Sequence, residues 1–388
     1  MSTITAPLTA LASRRRHRPL AELQRPADAF AHIGPNWFAS AMGTGILATA
    51  VTLLPVRLPG QATFALAAWL LAATLLVVLA AVTAIHWIRH PGVARTHHRN
   101  PAMAPFYGAP PMAMLTVGAG ALLAGSTLVG TGPAVAIDEV LWSLGTVSGL
   151  LCTIAIPYLM VTGPDLTLEQ VNGSWLMAVV PPMVSAATGA GLIAHLPAGQ
   201  DRLALALSCY AMFGISLLAS MIVLGLVIAR LGRHGPGQAR LVPTMWIGLG
   251  PLGQSITAVG LLSTAAAPAI GAVHTSDPRD LVLVYGIPVW GFAVVWLALA
   301  AAITIHTARR RLPFALTWWS FTFPVGTMVT GTSQLSDALG AQFLTVSAVA
   351  LFGLLVAGWV MVAARTAGGV WSGALLEAPV IAPPPAAS

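Results

Sequence analysis

Thr44, Thr49, Gln254, Thr257, Thr327 and Thr330 stand out in this 388-residue chain because each is a neutral hydrogen-bond donor set inside an apolar run. Hydroxyls and amides of this kind can replace part of a permeating solute's hydration shell while leaving binding weak enough for release. The plainer alternative for each threonine is a bond to a carbonyl one turn back in its own helix. Carboxylates are placed differently: Asp138 and Glu139 fall at the outer start of an apolar run, Asp165 and Glu169 between runs, and Asp277, Asp280 and Asp337 near run ends. No acidic relay of the sort that proton-driven carriers commonly keep at mid-membrane is evident. His32, His86, His195, His274 and His306 lie toward run ends without ligand spacing for haem or metal, so no metal and no cofactor are expected. Cys152 and Cys209 read as free buried thiols. A membrane-embedded enzyme or redox protein, which needs a buried cluster of nucleophile, base or ligands, is therefore the weakest of three readings.

The elements that must position these donors follow from composition. A chain that is 57% hydrophobic and 7% charged cannot present a soluble surface. Runs long enough to cross a bilayer of about 30 Å recur at 34–55, 63–88, 106–128, 136–160, 173–196, 203–230, 243–264, 281–306, 314–336 and 341–364. All 18 basic side chains are Arg. With a cytoplasmic N-terminus, Arg14, Arg15, Arg16, Arg18, Arg25, Arg89, Arg95, Arg99, Arg230, Arg233, Arg240, Arg309, Arg310, Arg311 and Arg365 fall inside, against Arg57, Arg202 and Arg279 outside. That bias places both termini in the cytoplasm of a cell (inner) membrane protein. It also accounts for the net charge of +7 without a nucleic-acid partner. Residues 1–33 are expected to be a disordered cytoplasmic arm, 34–365 the membrane domain, and 366–388 a disordered tail ending in APPPAAS.

A repeat organises the runs. Each odd-numbered run opens with an aromatic and meets Gly or Pro five or six residues later: Trp37 then Gly43, Phe106 then Pro111, Trp175 then Pro181, Trp246 then Pro251, Trp319 then Pro324. The unit is a helical hairpin repeated five times in the same sense, which suggests a ring about an axis normal to the membrane. A Gly or Pro break frees backbone groups that lipid cannot satisfy, so the broken helices belong toward the axis. On this reading Gly43, Gly45, Pro111, Pro181, Gly250, Pro251 and Pro324 line a central pathway with the donors above, and the aromatics anchor at the headgroups. Close helix packing is the competing role for every small residue in the set.

The strings PNWFASAMGTGI in the first run and WWSFTFPVG in the ninth resemble the tellurite-resistance/dicarboxylate transporter family, which includes malic acid permeases, sulfite efflux pumps and guard-cell slow anion channels. The resemblance covers about 35 to 364. It implies an all-α membrane protein of ten transmembrane helices, arranged as five hairpins in a quasi-fivefold ring around a central pore, commonly a homotrimer in the lipid bilayer. It also implies passage of a small inorganic or organic anion, a C4-dicarboxylate such as malate or sulfite, by a channel-like or facilitative route. A proton-coupled dicarboxylate or sulfite carrier is the alternative. By the matching motif the pore-occluding phenylalanine is Phe323, before Pro324. The corresponding positions of the other repeats are Met42, Pro110, Val180 and Gly250, so Phe323 is the sole aromatic of that layer.

Overall fold

In a medium without water every backbone N–H must be satisfied within its own segment, so long Ala- and Leu-rich runs are driven into helices. The computed structural model of this chain is accordingly helical, with no strand among the described residues. It describes residues 20, 22, 23, 25–163, 166–270 and 277–377. Arg14, Arg15, Arg16, Arg18, Asp165, His274 and the tail beyond 377 lie outside the described residues, as does most of the expected N-terminal arm.

The main helices are α1 (Phe38–Thr52), α2 (Gln61–Arg89), α3 (Ala109–Gly120), α4 (Thr131–Thr162), α5 (Pro181–Ile193), α6 (Gln200–His234), α7 (Leu249–Ala265), α8 (Ile287–Ala308), α9 (Phe323–Leu339) and α10 (Gln342–Ser372). Among the described residues seven segments are long and apolar enough to span a membrane, or eight if the 50° bent pair Gly173–Val179 and Pro181–Ile193 is one span. The chain is thus a multi-pass membrane protein. The segments at α1 and α9 fall short of the ten expected spans because their helices are only 15 and 17 residues long.

All five odd segments share one feature at their openings. A 3-10 stretch precedes each helix: Pro35–Trp37, Ala104–Gly108, Gly173–Trp175, Ala239–Gly248 and Leu316–Phe321. Each stretch carries the opening aromatic of its repeat. Trp37, Phe106, Trp246 and Trp319 are buried in protein and Trp175 is half-buried, which corrects the expectation of headgroup anchors. A buried indole N–H usually finds an acceptor, although that of Trp175 has none. Trp246 donates to Thr304 Oγ1 at 2.9 Å and Trp319 to Thr366 Oγ1 at 3.1 Å, tying each to the long helix that follows.

Helix α1 packs on α3, α3 on α5, α5 on α7, α7 on α9, and α9 back on α1. The even helices lie outside these contacts: 94% of the apolar window in 239–265 is buried, against 17% in α10. Tryptophans on the outer helices reach inward as struts. Trp69 on α2 donates to Val117 O, Trp142 on α4 to Ser185 O, Trp290 on α8 to Thr332 Oγ1, and Trp359 on α10 to Thr44 Oγ1, all at 2.9 to 3.0 Å. Each strut joins an outer helix to the inner helix of the next unit, and the last returns to the first. Phe213 fills the corresponding place on α6, packed against the cluster of Ile256 and Val259 on α7. This second repeat, Trp69, Trp142, Phe213, Trp290 and Trp359, is spaced by 69 to 77 residues and stands in the sequence beside the first.

The C-terminal boundary also differs from expectation. Gly368 and Gly369 stay helical, and the helix ends at Gly373, whose φ of 91° lies in the left-handed region, so α10 runs through Ser372. Residues 26–30 form a 3-10 turn rather than a structureless arm.

Candidate functional site

Two cavities lie among the inner helices, one on each side of Phe323. The larger, about 360 Å³, is walled by the later turns of α1, α3, α5, α7 and α9. The smaller, about 20 Å³, is walled by their earlier turns and the 3-10 stretches. Among the described residues Phe323 is the only side chain on both walls, and it is 3% exposed.

Local sequence sets that side chain in place. Pro324 lacks an N–H, which costs nothing in a first helical turn, and its fixed φ suits helix entry. Helix α9 therefore starts at Phe323, after Thr322, whose hydroxyl is tied to Trp319 O at 2.6 Å. Around the ring of Phe323 the small cavity is lined by Met42, Met112, Val180, Gly250 and Pro324. Met112 stands on this wall where Pro110 was expected. A methyl placed on Gly250 would meet nothing within 4 Å, so Gly250 is where the wall leaves space beside the ring.

Each inner helix contributes one threonine to the large cavity: Thr49, Thr116, Thr188, Thr257 and Thr330. Thr257 and Thr330 hydroxyls are 2.7 Å apart. Thr116 and Thr188 donate to Met112 O and Val184 O of their own helices at 2.6 and 2.9 Å. The amide of Gln254 also lies on this wall, and its Oε1 is buried without a partner. The wall carries no ionised carboxylate or guanidinium; His195 is its one titratable side chain among the described residues. Sequence reasoning missed Thr116 and Thr188. They lie six and eight residues past Pro110 and Val180, where the repeat puts Thr49, Thr257 and Thr330 at seven, and the irregular offset hid them.

Several predicted lining residues stand elsewhere. Pro111 and Pro181 pack outward against α4, where a methyl on Gly149 would come within 3.6 and 2.8 Å of their Cβ atoms. Gly43 faces Thr322 and Trp319, and Gly45 faces Thr116 and Ala72, so both serve close helix approach. Thr44 turns to α10, bonding Ser40 O at 2.7 Å and receiving Trp359 Nε1. Thr327 bonds Pro324 O at 2.7 Å and Leu249 O at 3.3 Å in the α7–α9 seam. Pro251 is buried in the first turn of α7 and touches neither cavity. A helix has one face toward the axis and several toward neighbours, and position along the chain does not separate them.

Asp138 is a correction of another kind. It lies seven residues inside α4, fully buried beside Gly118, with both carboxyl oxygens unpaired. Among the described residues no group of three or more His, Cys, Asp or Glu is placed to hold a metal ion.

Residues 32–367 match the family described as SLAC1, voltage-dependent anion channel. Two uncharacterized transporters of Methanocaldococcus jannaschii are similar to this chain at 24% and 25% identity, over 88% and 90% of this chain and 96% and 97% of their own. A sulfite efflux pump of Trichophyton rubrum is similar at 26% identity, over 87% of this chain and 91% of its own.

Proposed function

This chain belongs to the voltage-dependent anion channel family, and from that premise we propose that it moves sulfite or C4-dicarboxylate anions through a pore gated by Phe323. The observation that carries the reading is the position of Phe323 as the one described side chain shared by two cavities. The closed sequence of contacts from α1 to α9, with struts in the same sense, supports ten helices in five hairpins around a quasi-fivefold axis. Both termini are assigned to the cytoplasm of the cell membrane by the arginine bias, and a homotrimer is the assembly that the resemblance implies.

A pore wall without fixed charge admits an anion by partial resolvation and releases it by weak binding. Thr116 and Thr188 spend their protons on their own helices and must rotate to serve a passing anion. Gln254 has an amide free to do so at once. Gln254→Leu is accordingly expected to lower flux about tenfold, equivalent to roughly 1.4 kcal/mol, whereas Thr188→Val changes it less than about threefold. Initial rates in proteoliposomes check both.

A proton-coupled carrier is a second reading, favoured by the unpaired buried carboxyl of Asp138. Flux of sulfite, malate, succinate, chloride, nitrate and tellurite, with and without a pH gradient and with the electrical potential clamped, separates the two. The pore reading expects sulfite or dicarboxylate flux that follows the anion gradient and potential and survives a protonophore. Collapse of flux with the pH gradient transfers the assignment to the carrier.

A further inference from the structure

Three imidazoles meet at the end of α2 where the N-terminal arm crosses it, and a fourth, His32, follows on the arm. His86 is fully buried, and its Nδ1 lies 2.8 Å from the Phe30 carbonyl oxygen on the arm. That acceptor requires the proton on Nδ1 and leaves Nε2 bare, buried and without a partner. His97 stacks on His86 at 5.4 Å between ring centroids, and His90 stacks at 6.1 Å. His32, two residues past Phe30, is within electrostatic reach of His86 and His90. The same arm holds the far end of the chain: Leu20 N–H donates to Trp371 O at 2.8 Å and Glu22 N–H to Ser372 O at 3.0 Å.

We propose that this histidine nest is a pH-sensitive fastening that frees the arm from α2 and α10 when the compartment on that face acidifies. Neutral imidazoles stack without penalty, while protonated ones set like charges against each other around a buried nitrogen that has no acceptor. Burial, then His86 and His90, lowers the affinity of His32 for a proton; burial, then His86, His32 and His98, does the same to His97. Asp28 on the arm opposes the shift at His32 but is the smallest contribution. Arg89 on α2 and Arg95 and Arg99 in the following loop add positive charge, and 89–104 contains no acidic residue. Of the other packed elements, Ala104–Gly108 brings only Tyr107, and the acids of α4, Asp138 and Glu139, sit toward its opposite end.

The sign follows from linkage. The docked arm binds protons less well than the free arm, so docking is at full strength above the ordinary imidazole value of 6.5 and weakens as pH falls below it. The fastening does not depend on which ion the protein moves.

Hydrogen exchange of the full chain in nanodiscs, corrected for intrinsic rates, tests it between pH 7.5 and 5.5. Peptides covering 25–33 and 366–377 are expected to exchange together, at least tenfold faster at the lower pH, with α4 unchanged. The double variant His32→Gln, His97→Gln is expected to stay protected at pH 7.5 and lose most of the pH dependence. His86→Leu, which has no donor for the Phe30 carbonyl, is expected to deprotect the arm at both pH values. Protection that is flat with pH in the unaltered protein, loss at the arm without loss at 366–377, or an undiminished pH response in the double variant overturns the proposal. Should the variants not fold, the unaltered protein alone decides.

Discussion

Phe323→Ala raises anion flux in proteoliposomes by at least tenfold while the protein remains folded. The ring separates a cavity of about 360 Å³ from one of about 20 Å³, and its removal joins them. A Phe→Ala change in a packed core costs about 3–5 kcal/mol through lost contacts and an unfilled void. Here one flank of the ring already faces open space beside Gly250, so the expected loss is smaller, about 1–2 kcal/mol. The two roles open to Phe323 therefore separate in paired measurements. A gate gives a large gain in flux with a small drop in melting temperature in detergent; a packing residue gives a large drop with no gain. Unchanged flux from correctly folded protein removes the gate assignment.

Gly173→Ala and Gly108→Ala are expected to prevent recovery of folded protein, each costing at least about 3 kcal/mol. A Cβ on Gly173 would stand 1.9 Å from Thr244 O, and one on Gly108 would stand 1.7 Å from Met177 O. Both obstacles are backbone and have no rotamer by which to withdraw. Each glycine lies in the 3-10 stretch of one unit; Gly173 meets the opening stretch of the next and Gly108 the helical turn Leu176–Val179 just after it, so the substitution wedges apart the seam between units. Gly214→Ala is the control. It sits within α6 with nothing inside 4 Å of the added methyl and is expected to be neutral or stabilising by about 0.5–1 kcal/mol. Thermal melts and size-exclusion profiles of the three variants check the contrast, and normal folding of Gly173→Ala contradicts the seam.

Much of the fold was legible because bilayer physics leaves few choices. Apolar runs separated by Arg-rich or Gly/Pro stops specify helices, and five aromatic openings about 70 residues apart specify repeated hairpins. Phe323 was singled out by the resemblance carried by WWSFTFPVG, and comparison of repeats adds that no other unit has an aromatic at that level. The Asp138 carboxyl misled, because its place near the start of a run suggested water, while Gly118 lets α3 close over it.

What the sequence by itself determined is the class of the protein, its all-helical membrane-spanning character and the break before each inner helix. Periodicity and backbone satisfaction act within one segment, and they suffice for that. Which face of each broken helix looks inward was decided only in the tertiary structure. Pro111 and Pro181 turn to α4, Gly43 and Gly45 to neighbouring helices, Thr44 to Trp359 and Thr327 to Leu249, while Thr116 and Thr188 complete the cavity wall. The reason is that a 3-10 stretch turns the chain by about 120° per residue where an α-helix turns it by about 100°. A few residues of difference in where one gives way to the other rotate the whole following helix.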